Sequence, residues 1–177
     1  MMRFLAKLRR DNRGVSAVEF ALISPAMIAC YFGMAEISQA LLAERKAAHA
    51  ASAVGDLVAQ SSSVSSADIT DIFGIAATIM SPYSTTSLKM RVSSLTADTS
   101  GTPKVDWSSG SGLTALTVGA TVTGIPTGVM TAGQSVVMSE VTYTYDSPVD
   151  VVMPNAVTFT RKFYLRPRKS DKVAKTN

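Results

Sequence analysis

The sequence predicts an α+β protein: a long N-terminal helix, transmembrane in its first half, packed against a small head with a second helix and an antiparallel β-sheet. Three observations predict it. Val15 to Ala35 is a predominantly apolar run of 21 residues, about 31 Å as a helix and close to the roughly 30 Å of a bilayer's hydrocarbon core. Apolar residues then keep helical spacing to about residue 60. From Leu88 onward the period changes to two, as in half-buried strands. At 177 residues, 46% hydrophobic and 17% charged, the chain suits one compact domain with an appendage and is too apolar to be disordered throughout.

Charge is distributed unevenly. Residues 1–14 hold Arg3, Lys7, Arg9, Arg10 and Arg13 against Asp11, a net +4 that equals the formal charge of the whole chain. The basic character therefore belongs to this leader, and nucleic acid as a partner of the body loses its electrostatic warrant. Within the neutral remainder, Arg161 to Lys175 carries seven bases and one acid, so the stretch between leader and tail is net acidic. Cys30 is the single cysteine and His49 the single histidine. They allow no intrachain disulfide and argue against zinc sites and nucleophile–base pairs. No metal, no cofactor and no enzymatic activity are expected.

The first element is the apolar run. Bases precede it while Glu36 and Glu44 follow, so the positive-inside rule puts the N-terminus in the cytoplasm and the body across the membrane. Glu19 disturbs a plain anchor, since it lies one turn inside the run, where a carboxylate costs about 2.5–3.5 kcal/mol if placed centrally. The plain reading is that it snorkels to the cytoplasmic interface. The sharper reading is that Glu19 becomes the fifth residue of a chain cut between Gly14 and Val15.

Basic residues, then Arg13-Gly14, then Val15-Ser16-Ala17-Val18-Glu19-Phe20-Ala21-Leu22-Ile23, then Pro25, resemble the processing site of type IV pilin-like proteins. More narrowly, they resemble that of the TadE-like pseudopilins, or minor pilins, of tight-adherence (Tad/Flp) pilus systems. The resemblance covers about 30 residues, with a weaker echo in Val137 to Tyr145 and Arg161 to Arg168. It implies cleavage after Gly14 by a prepilin peptidase at the cytoplasmic face, with the amine of Val15 and the carboxylate of Glu19 then used in assembly. The implied partners are that peptidase, the major Flp-type pilin, other pseudopilins, an inner-membrane pilus platform and membrane lipid.

The chemistry of the residues agrees with this. Gly14 has no side chain to keep an extended backbone away from a protease's aspartates. A new ammonium at Val15 meeting Glu19 of a neighbouring helix would lower the cost of a buried carboxylate and set the register between subunits. Phe20 places a ring near interface depth, and Pro25 removes a donor and bends or loosens the helix; ordinary lipid-facing packing explains both equally well. Met27-Ile28-Ala29-Cys30 loosely resembles a lipobox, so acylation of Cys30 is an alternative, as is an uncut single-pass envelope protein with a ligand-binding head. Otherwise Cys30 reads as a small buried hydrophobe.

Beyond Ala35 the helix is expected to run to about Gln60, with Ile37, Leu41, Ala47, Ala48, Ala51, Val54, Leu57 and Val58 as its apolar stripe and Glu44-Arg45-Lys46 solvated. His49 reads as a surface or satisfied histidine and not as a ligand. Ser61 to Ser66 is a polar linker whose Ser65 or Ser66 caps a second helix, with Ile69, Ile72, Phe73, Ala76, Ile79 and Met80 inward and Pro82 ending it. Leu88–Val92, Val137–Tyr145 and a last strand through Val157, Phe159, Phe163 and Leu165 form the sheet. Lys104–Trp107 reads as a short strand in a Gly/Ser-rich loop, Leu113–Thr123 as a strand or extended arm, and Gly124–Gly133 as turns. Trp107 is expected to cover the sheet edge, the alternative being an exposed contact anchor. The organisation is thus a leader over 1–14, a transmembrane helix over 15–35, its continuation over 36–60, a periplasmic head over 61–165 and a basic, solvated tail over 166–177.

Overall fold

A computed structural model describes residues 14–150 and 152–177. The leader expected over 1–14 therefore lies outside the described residues, Gly14 excepted. The elements in chain order are α1 (Val15–Ala59), β1 (Ser63–Val64), α2 (Ser66–Ile79), β2 (Leu88–Ala97), β3 (Pro103–Ser111), β4 (Ser135–Tyr145), β5 (Val157–Leu165) and β6 (Ala174–Lys175). The fold is α+β, as the change of period predicts. The chain divides into two compact units. One holds the helix as far as Gln39 together with Ser147–Asn155; the other holds Ala40–Asp146 with Ala156–Asn177.

In the larger unit β2, β3, β4 and β5 form an antiparallel sheet in the order β3-β2-β4-β5. Alternation puts Leu88, Met90 and Val92 of β2 on the same face as Val137, Val141 and Tyr143 of β4, all of them buried. This face meets the helix at Gly55, where a Cβ would collide with Leu165 and come within 3.2 Å of the Cβ of Ser139. Glycine at 55 is therefore required by a close approach and not by its backbone conformation. The buried stripe of α1 in this unit is Ala40, Ala43, Ala47, Ala50, Ala51, Val54, Val58 and Ala59. Leu41, expected to face inward, is instead exposed. It follows Ala40 directly and so points about 100° away around the helix. Glu44, expected on a solvated face, pairs with Arg161 of β5, and the ammonium of Lys46 donates to the Ile79 carbonyl at 3.1 Å.

The opposite face of the sheet carries a second cluster, Leu95, Val105, Val136 and Met138, covered by Leu116, Val122, Ile125, Val129 and Met130. These covering residues come from the segment 113–134, which forms only an isolated bridge between Thr121 and Lys104 in place of a strand. It is held by side chains and by bonds such as that from the Arg91 guanidinium to the Thr114 carbonyl at 2.8 Å. Arg91 also pairs with Glu140, which Lys162 reaches at 3.4 Å, so three adjacent strands share one charge row. β3 is longer than its Ser/Gly content suggests, because pairing along β2 and a 2.8 Å bond between the hydroxyls of Ser93 and Ser108 stabilise it.

α2 begins where the serines predict. Ser65 is its N-cap and accepts from the Asp68 N–H at 3.1 Å, while the Asp68 carboxylate accepts from the Ser65 N–H at 2.8 Å. The Ser65 N–H, and after it the Ser65 hydroxyl at 2.8 Å, donate to the Asp68 carboxylate and hold it below the usual carboxylate range. The chain's end departs from expectation. Val173 is fully buried, its carbonyl accepts the Trp107 indole N–H at 2.7 Å, and β6 pairs in parallel with β1. The basic residues before it, Arg166, Arg168, Lys169 and Lys172, stay exposed, but one apolar side chain and a backbone ladder fix the segment. Trp107 is buried on edge strand β3 and is not an exposed anchor.

Candidate functional site

The smaller unit contains every residue singled out for processing and assembly. Gly14 precedes α1, and its carbonyl accepts the Val18 N–H at 3.0 Å, which makes it the acceptor that starts the helix. Among the described residues, a Cβ at position 14 would meet nothing within 4 Å, so no packing contact there asks for glycine. Val15, Glu19, Phe20 and Pro25 follow on a single helix that continues through the proline.

From Val15 to Phe32 the large apolar side chains are exposed, among them Val18, Phe20, Leu22, Ile23, Met27, Ile28 and Tyr31. Phe20, Ser24, Met27, Ile28, Tyr31 and Phe32 line one shallow apolar groove along the helix, at the spacing of one helical face. Cys30 is exposed as well, so it does not fill the buried role expected of it. A segment of this kind, long and apolar enough to cross a membrane, is unstable in water unless lipid or another helix covers it.

Sequence reasoning used Glu36 only as a charge following the apolar run. The structure gives it a different place. The residue is 2% exposed, and its carboxylate accepts from the Ser147 hydroxyl at 3.1 Å and from the backbone N–H groups of Val152 at 2.7 Å and Met153 at 3.1 Å. One turn earlier, a Cβ at Gly33 would lie 2.6 Å from a Val152 methyl, so the glycine lets the loop settle against the helix. The loop between β4 and β5 is thus fastened to α1 by a charge-assisted bond set. The partners are more than 110 residues apart in sequence, so no local pattern signals the contact. Among the described residues, no group of His, Cys, Asp and Glu is placed to hold a metal ion.

Comparison with known proteins gives one finding for this same segment: the family model described as TadE-like protein matches residues 14–56. The match starts at Gly14 and covers the exposed apolar stretch and most of the buried stripe of α1. It is 43 of the 177 residues, and it associates the chain with Tad pilus components. No curated protein and no solved structure matches the chain.

Proposed function

We propose that the chain is a structural minor pilin, or pseudopilin, needed for assembly of a Tad/Flp-type pilus, and that it is the substrate of a prepilin peptidase and not itself an enzyme. The peptidase cuts between Gly14 and Val15 at the cytoplasmic face. The mature chain starts at Val15, crosses the inner membrane through Ala35 and carries its α+β head on the periplasmic side. Its partners are the peptidase, the major Flp-type pilin, other pseudopilins and the inner-membrane platform.

One observation carries this reading: the TadE-like match and the exposed apolar helix begin at the same place, at a glycine against which no described residue packs. Cutting after Gly14 removes the leader's net +4 and leaves an ammonium at the helix start. Glu19 lies one turn further along, on an exposed face, where a neighbouring copy's Val15 ammonium can neutralise it within lipid. That pairing sets how far one helix is displaced along the next, while the face bearing Phe20, Met27, Ile28 and Tyr31 supplies the contact area.

N-terminal sequencing and intact mass of protein extracted from membranes test the reading. The expected mature chain begins VSAVEF. A full-length chain supports the uncut single-pass alternative, and a lipid adduct on Cys30 supports the lipoprotein. Glu19→Ala is expected to be cut normally yet to impair piliation, read by electron microscopy of sheared filaments; normal piliation would remove Glu19 from assembly.

A further inference from the structure

We propose that the Ser147–Asn155 loop is a membrane-seated collar, docked on the headgroup–acyl boundary of the lipid leaflet where α1 leaves the membrane, with Glu36 as its anchor. This rests on α1 being a membrane span. The apolar run ends at Ala35, one residue before Glu36. At about 1.5 Å per residue, Gly33 and Glu36 lie about 27 Å and 32 Å along the helix from Val15, at the far edge of a hydrocarbon core of about 30 Å. The loop touches the helix at these two residues, which places it at the boundary and not in the aqueous phase beyond.

Its chemistry suits that depth. Residues 147–155 read SPVDVVMPN, with Asp150 the sole charge and two prolines that have no N–H to satisfy. Backbone donors entering a low-dielectric zone are costly when unpaired. Here Glu36 accepts two of them, from Val152 and Met153, and the Ser147 hydroxyl accepts the Val149 N–H at 3.3 Å. With those groups satisfied, Val149 and Val152 remain 44% and 52% exposed. Exposed Tyr31, Met34 and Ile37 lie on the adjoining turns of the helix, and Tyr31 is a residue type that favours membrane interfaces. A carboxylate just past the end of an apolar run would otherwise seek water. Its burial is explained by the loop it holds.

Site-directed nitroxide labelling of the full chain in phosphatidylethanolamine/phosphatidylglycerol nanodiscs tests the proposal, in a Cys30→Ser background with single cysteines at Val149, Val152, Ile23 and Thr127. Relaxation by oxygen relative to a water-soluble nickel chelate is expected to be severalfold higher at Val149 and Val152 than at Thr127, with Ile23 higher still. Val149 and Val152 as accessible to nickel as Thr127, with Ile23 protected, would overturn the collar and leave the span intact. Nickel access at Ile23 would overturn the span and the collar together. Dipolar broadening at Val149 that vanishes on dilution with unlabelled protein would assign the loop to a second copy of the chain, against the proposal. Glu36→Ala should mobilise the Val152 label and abolish its protection while leaving Ile23 unchanged; retained protection would remove Glu36 as the anchor.

Discussion

From Val15 to Phe32, α1 carries Val18, Phe20, Leu22, Ile23, Met27 and Ile28, and all are exposed; from Ala40 to Ala59 it carries Ala43, Ala47, Ala50, Ala51, Val54 and Val58, and all are buried. The first stretch holds one charged residue, Glu19, and the second holds Glu44, Arg45, Lys46 and Asp56, so hydropathy already separates them. The size of the apolar side chains separates them further. Alanine, valine and Gly55 let a helix backbone come close to a sheet and fill the space without voids, whereas large side chains displayed on all sides of a helix need a surrounding medium. The first stretch leaves its large side chains uncovered and is apolar enough to cross a membrane, and the second packs on its own sheet.

The contrast can be broken most severely in the head. Trp107→Ala removes a buried indole and its bond to the Val173 carbonyl, and is expected to cost about 3–5 kcal/mol, read as a fall in the thermal midpoint of the detergent-solubilised chain by circular dichroism. Membrane retention should not change, because Trp107 lies in the larger unit. Loss of retention in that variant would show that the two stretches do not act independently.

Gly55→Leu comes next. It places a side chain where Leu165 and Ser139 already lie, and overpacking of this kind costs about 1–3 kcal/mol, measurable from the shift of Trp107 fluorescence in urea. An unchanged midpoint would mean that close approach is not what selects small residues along the buried stripe. Leu22→Ala is the converse test. Leu22 is among the most exposed of the large apolar residues, so the head's midpoint should move by no more than about 0.5 kcal/mol, while extraction by alkaline carbonate becomes easier. A destabilised head would place Leu22 in contacts that the fold does not contain.

The smallest effect is a polar one. Asp98 accepts from the Ser100 hydroxyl at 2.6 Å and from the Ser100 and Thr102 N–H groups at 2.9 Å, and it pairs with Lys104 at 3.3 Å. These donors, the Ser100 hydroxyl first, pull its pKa down to about 2. Because the folded value lies below the ordinary one of about 3.9, the turn's contribution is complete above that pH and fades as pH falls toward 2. Amide resonances of Ser100 and Thr102 should therefore hold steady down to about pH 4 and move below it. Movement near neutral pH would contradict the depressed value.

Most of the framework was legible in local patterns. The cap at Ser65, the inward set Ile69, Ile72, Phe73 and Ala76, and the strands ending at Tyr145 and Leu165 follow from periodicity and capping chemistry, and the long helix follows from the apolar run that opens at Val15. Gly14, Val15, Glu19, Phe20 and Pro25 fall within one short run of the sequence, and the structure places all but Gly14 on the same helix. Ile37 and Leu41 are exposed although they are the larger apolar residues, because small alanines at 40, 43, 47 and 50 are what allow the helix to approach the sheet closely.

The order of apolar, charged and turn-forming residues along the chain was enough to set the α+β class, the length and start of the long helix, and its fitness to cross a membrane. Periodicity and propensity act over a few residues, so the linear order carries them. Only the folded chain decided that Val173 and β6 close the head, that an irregular segment over 113–134 covers the second face of the sheet, and that Glu36 gathers donors from Ser147, Val152 and Met153. Each of these joins groups separated by tens to more than a hundred residues, and a hydrogen bond or a buried methyl group has no effect on the sequence pattern until folding brings its partner within reach.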